Sequence, residues 1–146
     1  VAAKLDSLED EKVVFIEGES RKIGNVEIPA FLWKAMCHGT HVKVTRTSEN
    51  RAKACVQEYF NTPEKVAQVR EVTTGLWKVI GKKRKQDVVD LIDAGAYFDA
   101  AKILLTEYYD PLYSHTLKKY HFSYEINNDD ERKAVEKLRM LCDERT

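Results

Sequence analysis

The expected fold rests on the twelve residues from Val13 to Gly24, which read VVFIEGESRKIG. Four apolar residues run directly into a segment that carries two carboxylates, a hydroxyl and a guanidinium. A short apolar run rich in β-branched residues is typical of a parallel strand that is covered on both faces. The sequence therefore predicts a buried strand at Val13–Ile16 with polar side chains at its carboxyl end.

Two further strands and a series of helices are predicted downstream. His41–Thr45 (HVKVT) and Tyr120–Ile126 (YHFSYEI) alternate polar and apolar residues, as half-buried strands do. Helical spacing and capping signals predict helices at Pro29–Cys37, Ser48–Phe60, Thr62–Ile80, Gln86–Ala94 and Ala96–Tyr109, a helical turn from Asp110, and a last helix capped by Asn128 and Glu131. Ser48 is the predicted N-cap of its helix, and Gly95 separates the two helices on either side of it.

This order of elements predicts an α/β fold with a partial P-loop-type parallel sheet of about three strands and a predominantly helical insertion. Residues 1–62 would form a strand-helix-strand-helix core, 63–119 a helical subdomain, and 120–146 the last strand and helix of a single domain or domain fragment. Right-handed crossovers leave the carboxyl ends of parallel strands at one edge, where ligands bind. Glu17–Arg21 and Arg46–Arg51 are expected at this edge.

Composition limits the class of protein. The 146 residues are 43% hydrophobic and 33% charged, which suits a soluble globular protein, and 24 basic residues balance 24 acidic ones. Three cysteines without a CxxC pair predict neither a disulfide framework nor a zinc site, and they indicate a reducing, cytoplasmic compartment. No apolar run reaches the roughly 18 residues of a membrane helix, so no membrane partner is expected.

The charged residues after the first predicted strand are candidates for phosphate chemistry. In P-loop folds an acidic residue at this place holds magnesium or positions water, and Glu17 occupies it. Arg21 would bind a phosphate through its fork of donors, and Glu19 would orient Arg21 or act as a base. The alternative is that Glu19 and Arg21 form an exposed ion pair that shapes a loop. The chain contains no GxxxxGK[ST] loop and begins at Val1, so we expect that loop upstream in a longer protein.

Three stretches resemble, in order, the tRNA 2-selenouridine synthase family. They are VFIEGESRKIGNVEIPAFLWKAM, with the family's E-x-E-S-R-x-I-G motif, HVKVTRTSENRAKACVQEYF, and AAKILLTEYYDPLYSHTLKKY, which is similar to its L-L-x-x-Y-Y-D-P-x-Y signature. Together they span most of the chain. The resemblance implies the C-terminal part of a P-loop domain, with the phosphate-loop half and a rhodanese-like domain supplied upstream or by a separate chain.

The resemblance also implies a function and a set of residues. The family replaces the sulfur of wobble 2-thiouridine in tRNA with selenium from selenophosphate, through a geranylated intermediate that needs geranyl diphosphate. The resemblance implies catalytic roles for Glu17, Glu19 and Arg21, and phosphate-ligand roles for Ser20, Arg21, Gly24 and Arg51. Arg46 is a further candidate phosphate ligand because it is expected at the same edge of the sheet. A magnesium ion is expected only in the complete protein, and we expect no cofactor or metal to be bound by this chain alone.

Two groups of residues are candidates for tRNA binding. The only concentrated basic run contains Lys78, Lys82, Lys83, Arg84 and Lys85, which would contact phosphates; the alternative is that it complements a helix C-terminus near Gly81. Tyr109 and Tyr113 bracket Asp110 and Pro111. They would stack on an extruded base or form a wall for a geranyl chain, unless the tyrosines here only pin a turn.

Two classes of function therefore follow from the sequence. The leading hypothesis is the C-terminal part of a tRNA 2-selenouridine synthase, a transferase in which this chain binds phosphate ligands and tRNA. The alternative is a non-catalytic α/β module that binds RNA or a partner subunit, because the phosphate loop is missing from the chain. An independent nucleotide-hydrolysing enzyme is disfavoured for the same reason.

Overall fold

The computed structural model describes residues 7–8, 10–18, 20–76, 80–118 and 120–144. The helices are α1 (Ala30–His38), α2 (Ser48–Tyr59), α3 (Pro63–Gly75), α4 (Lys82–Asp93), α5 (Tyr97–Leu104), α6 (Asp110–Leu117) and α7 (Glu131–Asp143), and a π-helical segment (Leu105–Tyr109) joins α5 to α6. The strands are β1 (Lys22–Ile23), β2 (Val26–Glu27), β3 (Val42–Thr45) and β4 (Tyr124–Asn127). None of the described helices is long and apolar enough to cross a membrane.

Strands β3 and β4 form a small parallel sheet of two strands. The backbone N–H of Ser123 donates to the carbonyl of His41, and the N–H of Asn128 donates to the carbonyl of Thr45, so both strands run in the same direction. Both strands were expected from their alternating pattern, and the α/β class is confirmed. The described part of the chain is mostly helical.

The strand predicted at Val13–Ile16 does not form in this structure. These residues have no regular secondary structure, and Val14, Phe15 and Ile16 are 42%, 60% and 50% exposed. A strand needs a neighbour that satisfies its backbone groups and a layer that covers its side chains. The described residues provide neither for this segment, so the predicted sheet of three strands is not confirmed.

A hairpin that the sequence analysis did not predict follows this segment. Strands β1 and β2 pair antiparallel, with Lys22 opposite Glu27 and Ile23 opposite Val26. Gly24 has a φ of 58°, whereas no non-glycine residue described has a positive φ. A two-residue hairpin loop with glycine at its first position matches a type II′ turn, which glycine enters without strain.

The chain forms two compact units. Unit 1 comprises Val1–Lys43, Phe122–Ile126 and Asp130–Thr146, and unit 2 comprises Val44–His121 and Asn127–Asp129. Ile126 and Ala134 are buried in unit 1. The division predicted from the sequence (1–62, 63–119 and 120–146) stays a prediction.

The core of unit 2 is built by α2, α4, α5 and the start of the π-helical segment. Its buried members are Ala52, Phe60, Val88, Ile92, Ala100, Ala101, Leu104 and Leu105. The ring of Phe60 stacks on that of Tyr97, with centroids 4.9 Å apart. Val66, Val69 and Leu76, near and on α3, pack against this core from one side. The helix predicted after Ala96 therefore contributes Ala100, Ala101 and Leu104 to this core.

Side-chain caps define the N-termini of α2, α3 and α7. Thr62 caps α3 by accepting from the N–H of Lys65, with Pro63 in the first turn, as predicted. Two predicted caps are wrong by one or two residues: Thr47 rather than Ser48 caps α2, and Asp130 rather than Asn128 caps α7. Thr47 and Asp130 both have the extended backbone that places the side-chain oxygen over the first turn of the helix.

The helix after Gly95 does not end at Tyr109 as predicted. It continues through a π-helical segment into α6, and the N–H of Asp110 donates to the carbonyl of Leu105, five residues back. Pro111 has no N–H, and its ring would clash with a carbonyl in a regular α-helix. A local π turn widens the helix at this point, which allows the chain to continue past the proline.

Candidate functional site

Arg21 lies in unit 1, directly before the β1–β2 hairpin. Its Nε is 3.0 Å from Oε1 of Glu27 on β2, and the two side chains are 48% and 62% exposed. The carbonyl of Arg21 also accepts from the N–H of Ile28, which closes the base of the hairpin. An ion pair this exposed contributes about 0–1 kcal/mol, so the guanidinium can exchange partners at little cost.

Ser20 and Gly24, which are predicted site residues near Arg21, are part of the hairpin and its entry. The hydroxyl of Ser20 donates to the carbonyl of Lys22 at 2.6 Å, which makes it part of the hairpin entry. Gly24 forms the hairpin turn. Glu17 is exposed, and Glu19 lies outside the described residues. The predicted pair of Glu19 with Arg21 therefore stays a prediction, whereas Glu27 is an observed partner of Arg21.

The carboxyl ends of β3 and β4 are joined by Asp129, which the sequence analysis missed. Its Oδ1 accepts from the N–H of Thr47 at 3.0 Å, from the hydroxyl of Thr47 at 2.8 Å and from Nδ2 of Asn50 at 2.8 Å. These donors, led by the Asn50 amide, hold the pKa of Asp129 well below its ordinary value. The signal was present, because the segment Asn127–Asp130 follows a predicted strand at the same sheet edge as Arg46–Arg51.

The two arginines predicted at this edge belong to unit 2. Arg46 directly follows β3 and is half-buried. Arg51 lies on α2 and forms a two-point ion pair with Asp110, with Nη1 3.0 Å from Oδ2 and Nη2 2.6 Å from Oδ1. The hydrogen bonds to Asp110 raise the pKa of Arg51, while burial acts in the opposite direction. The part of the Arg51 fork that suits a phosphate is thus already bound within the unit.

The four cations Lys82, Lys83, Arg84 and Lys85, called the basic turn below, form the first turn of α4. Gly81, with a φ of 83°, is the N-cap of the helix that they begin, and the alternative that they complement a helix C-terminus near Gly81 stays a prediction. This first turn contains no acidic residue, and no side chain caps it. Lys78 lies outside the described residues.

Arg84 pairs with two acidic residues, which the basic sequence of Lys82–Lys85 did not predict. Its Nε is 2.6 Å from Oε2 of Glu107 on the π-helical segment, and its Nη1 is 3.7 Å from Oδ2 of Asp87. Lys82 and Lys83 are exposed and Lys85 is half-buried. The basic turn therefore presents cations at a helix N-terminus, with one of them held against the π-helical segment.

The tyrosines near Pro111 differ in exposure. Tyr108 is half-buried, whereas Tyr109 and Tyr113 are 43% and 53% exposed. The rings of Tyr108 and Tyr109 meet edge to face at a centroid distance of 4.9 Å. Burial raises the pKa of Tyr109, with smaller contributions from neighbouring groups. Tyr109 and Tyr113 thus present aromatic surface that a ligand can reach.

A cleft of about 510 Å³, called the apolar cleft below, opens between α2, α3 and the α5–π segment. It is lined by Cys55, Tyr59, Phe60, Gln68, Val69, Val72, Thr73, Leu76, Ala101, Leu104, Leu105 and Tyr109. Of the predicted site residues, only Tyr109 lines it. Val69, Val72 and Leu76 follow helical spacing, so the sequence indicated an apolar face there but not that the face borders an opening.

The acidic, histidine and cysteine side chains were the candidates for metal ligands. Within the described ranges, no group of three or more histidine, cysteine or acidic side chains is arranged to hold a metal ion. The three cysteines are free thiols, with Cys37 exposed and Cys55 and Cys142 half-buried. Burial raises the pKa of Cys55, so this thiol is held in its neutral form.

A family model and a similar protein both relate this chain to the same family. The family model of the tRNA 2-selenouridine synthase AAA domain matches residues 1–143. A tRNA 2-selenouridine synthase of Hydrogenovibrio crunogenus (strain DSM 25203 / XCL-2) is 28% identical over an alignment of 123 residues. The match covers 71% of this chain and 34% of that protein. The chain thus spans about a third of the length of this relative. No solved structure matches the chain. Because the family model covers almost the whole chain, the chain belongs to the tRNA 2-selenouridine synthase family as its AAA-type domain.

Proposed function

We propose that this chain supplies phosphate-ligand and tRNA binding to a tRNA 2-selenouridine synthase that converts wobble 2-thiouridine into 2-selenouridine. Family membership supports this assignment and does not favour the alternative of a non-catalytic module. Selenophosphate would be the selenium donor and geranyl diphosphate the source of the geranylated intermediate. The phosphate-loop half and a rhodanese-like domain would come from the rest of the protein or from a separate chain, and the compartment would be the cytoplasm.

The observation that carries the tRNA-binding part is the position of the basic turn. Cations at a helix N-terminus oppose the helix dipole, at a cost of about 0.3–1 kcal/mol each. Lys82, Lys83, Arg84 and Lys85 all occupy the first turn of α4, which contains no acidic residue. The charge of Arg84 is offset by Glu107 and Asp87, which lie outside that turn. A polyanion offsets this repulsion and also meets the N–H groups of the helix end, which favour phosphate. The arrangement therefore suits an RNA backbone better than it suits the isolated helix.

Tyr109 and Tyr113 would extend this surface. Both rings are about half exposed, and Tyr109 belongs to the π-helical segment that also carries Glu107, the partner of Arg84. Base stacking on exposed aromatic rings contributes about 1–3 kcal/mol per base. We infer that the basic turn positions the phosphate backbone and that the tyrosines contact an unpaired base.

Arg21 would be the main phosphate ligand of unit 1. Its exposed pair with Glu27 can open at little cost, and Ser20 and Gly24 shape the hairpin entry beside it. Glu17 and Glu19 would act with Arg21 in catalysis once a phosphate ligand is bound. In unit 2, Arg46 and Arg51 would be further phosphate ligands, but Arg51 would have to exchange Asp110 for the ligand.

In the complete protein, Val13–Ile16 would form the third strand of the P-loop-type sheet. The exposure of Val14, Phe15 and Ile16 supports this proposal, because an apolar run of this kind is stable as a strand only when both faces are covered. The phosphate-loop half would provide the neighbouring strand and the covering layer. Glu17 would then stand at the carboxyl end of a strand, as in other P-loop proteins.

A magnesium ion would bind only in the complete protein, where the phosphate-loop half is present. Mg²⁺ is usually held by one or two carboxylates together with substrate phosphates and water. Glu17 offers one exposed carboxylate, which fits a shared role of this kind and does not make a separate metal site.

The experiment that tests tRNA binding is a salt titration of tRNA affinity by filter binding. The 146-residue chain is compared with the double variant Lys83→Gln/Lys85→Gln and with the matched control Lys53→Gln/Lys137→Gln, which removes two exposed lysines elsewhere. We expect log Kd to rise linearly with log salt for the chain and the control. The basic-turn variant should lose about one unit of slope for each lysine that contacts a phosphate.

Two results would contradict the proposal. One is the absence of tRNA affinity at low salt, and the other is an equal slope for the basic-turn variant and the control. Circular dichroism melts of all three proteins establish that a lost affinity does not arise from unfolding.

A further inference from the structure

We propose that Glu107 is a specificity-determining residue of the basic turn: its carboxylate competes with RNA phosphates for Arg84 and so selects ligands that carry several phosphates over a single phosphate. Glu107 is the acidic residue of the π-helical segment (Leu105–Tyr109). The inference deepens the proposed tRNA binding at the basic turn and rests on it.

Glu107 occupies a donor of Arg84 that a phosphate would use. Oε2 of Glu107 lies 2.6 Å from Nε of Arg84, which is a close contact between opposite charges. A guanidinium presents its donors in a fixed planar fork, and carboxylates and phosphates both bind to that fork. The two kinds of anion therefore exclude each other at Nε, and an RNA phosphate must displace Glu107 to reach it.

Asp87 is a different kind of neighbour of Arg84. Its Oδ2 is 3.7 Å from Nη1 of Arg84, which is too far for a hydrogen bond, and it lies three residues later on the same helix. Because both residues belong to α4, Asp87 stays near Arg84 whether or not Glu107 is displaced. Glu107 comes from another element, so its contact with Arg84 joins the basic turn to the π-helical segment and can be exchanged for a ligand.

The pair of Arg84 and Glu107 is not needed to hold α4 in place. Val88 and Ile92 of α4 are buried in the core of unit 2 together with Ala100 of α5. The two charged side chains are 43% and 39% exposed, so water and salt screen their attraction. An RNA phosphate can therefore replace Glu107 at small cost, and removal of the Glu107 charge should leave the fold intact.

The cations beside Arg84 make this replacement selective for a polyanion. Lys82 and Lys83 are exposed in the same helical turn. A ligand with several phosphates is held by these lysines, which raises the effective concentration of a further phosphate at Arg84. A single phosphate ion lacks this second attachment and must compete with a carboxylate that is already tethered in place. Glu107 thus lowers the affinity for small anions more than the affinity for RNA.

The test compares tRNA binding by the 146-residue chain and by Glu107→Gln, using filter binding at low salt. The substitution removes the charge and keeps the length of the side chain. We expect Glu107→Gln to bind tRNA about threefold to fivefold more tightly, because the competing ion pair is lost. The gain should disappear when Arg84→Gln is already present. Glu136→Gln, which removes an exposed glutamate from α7 of unit 1, is the matched control and should bind as the parent chain does.

The Nε–H signal of Arg84 in an NMR spectrum measures the competition directly. Glu107→Gln should shift this signal in the absence of RNA, because the carboxylate no longer lies beside it. Inorganic phosphate should shift the signal in Glu107→Gln at concentrations that leave it unchanged in the parent chain, whereas tRNA should shift it in both. An equal response to inorganic phosphate in the two proteins would overturn the proposed selectivity.

The outcomes separate this inference from the proposed function. Salt-dependent tRNA binding by the parent chain, with equal or weaker binding by Glu107→Gln, would overturn the inference and leave the tRNA-binding proposal intact. A gain that persists beside Arg84→Gln would also overturn it, because the competition is assigned to Arg84. No tRNA affinity in either protein would contradict both. Circular dichroism melts of every variant establish that the compared proteins are folded.

Discussion

Arg51 and Asp110 lie 59 residues apart in the sequence and form a two-point ion pair, with nitrogen–oxygen distances of 3.0 and 2.6 Å. The pair connects the first half of α2 to the start of α6, next to the π-helical segment and Pro111. The side chains are 32% and 43% exposed, so the pair is screened only in part. The pair holds α2 to the start of α6, and Asp110 competes with any phosphate for the Arg51 guanidinium.

A double-mutant cycle measures the coupling of this pair. The variants are Arg51→Gln, Asp110→Asn and the combination, each examined by urea unfolding. We expect each single variant to be destabilised and the cycle to give a coupling energy of about 0.5–1 kcal/mol, as for well-aligned, partly exposed pairs. Additive effects of the two single substitutions would show that the pair does not contribute to stability.

Gly95→Ala is expected to lower the free energy of unfolding more than Gly75→Ala does. The φ of Gly95 is 74°, and the N–H groups of Gly95 and Ala96 donate to the carbonyls of Ile92 and Leu91, which is the Schellman arrangement. Gly95→Ala should lower the free energy of unfolding by about 1–2 kcal/mol, the cost of a left-handed backbone for an L-residue. Gly75→Ala is the control, because Gly75 ends α3 without a positive φ and an added Cβ would meet nothing within 4 Å. An equal loss in both variants would contradict this explanation.

The N-cap of α2 is a third test. Thr47 accepts from the N–H of Asn50 and donates its hydroxyl to Asp129. Thr47→Ala should therefore lower the free energy of unfolding by about 1 kcal/mol, the usual cost of a lost cap. Ser48, which the sequence pattern favoured as the cap, donates only to Glu49 in the structure, so Ser48→Ala should cost less. A larger effect at Ser48 than at Thr47 would place the helix start one residue later.

Glu49 provides a prediction for pH dependence. A hydrogen bond from Lys102, at 2.7 Å, is the main cause that lowers the pKa of Glu49 from 4.5 to about 2. Because the folded-state pKa is lower than the unfolded one, this carboxylate favours folding above pH 4.5, and the contribution is lost as the pH falls from about 4.5 to about 2. NMR titration of the Glu49 side chain should show the low pKa, and Lys102→Gln should move it back toward 4.5. A Glu49 pKa that is unchanged by Lys102→Gln would contradict this cause.

Local patterns predicted the elements whose partners lie within the chain. The alternation in His41–Thr45 and Tyr120–Ile126 corresponds to the two parallel strands, and the Thr62–Pro63 start of α3 has the cap that its residues favour. These signals are strong because strand period and capping chemistry depend on few neighbours. The same holds for Gly95, whose left-handed backbone ends one helix before the next begins.

Other features depend on tertiary context that a pattern does not contain. Val13–Ile16 has the composition of a buried strand, but no covering layer is found among the described residues. The π-helical segment before Pro111 appears where tertiary packing keeps the helix continuous past a residue that usually ends it. Asp129 and the apolar cleft were missed because each combines residues from distant parts of unit 2.

The measurement that tests the central claim most directly is the ratio of 2-selenouridine to 2-thiouridine in tRNA treated with the complete synthase that contains this chain. The compared variants are Arg21→Ala and the matched control Arg132→Ala, another exposed arginine of unit 1, each with a melting curve that establishes folding. We predict that Arg21→Ala abolishes 2-selenouridine formation and that Arg132→Ala retains it. Full conversion by a folded Arg21→Ala enzyme would contradict the assignment of Arg21 as a phosphate ligand.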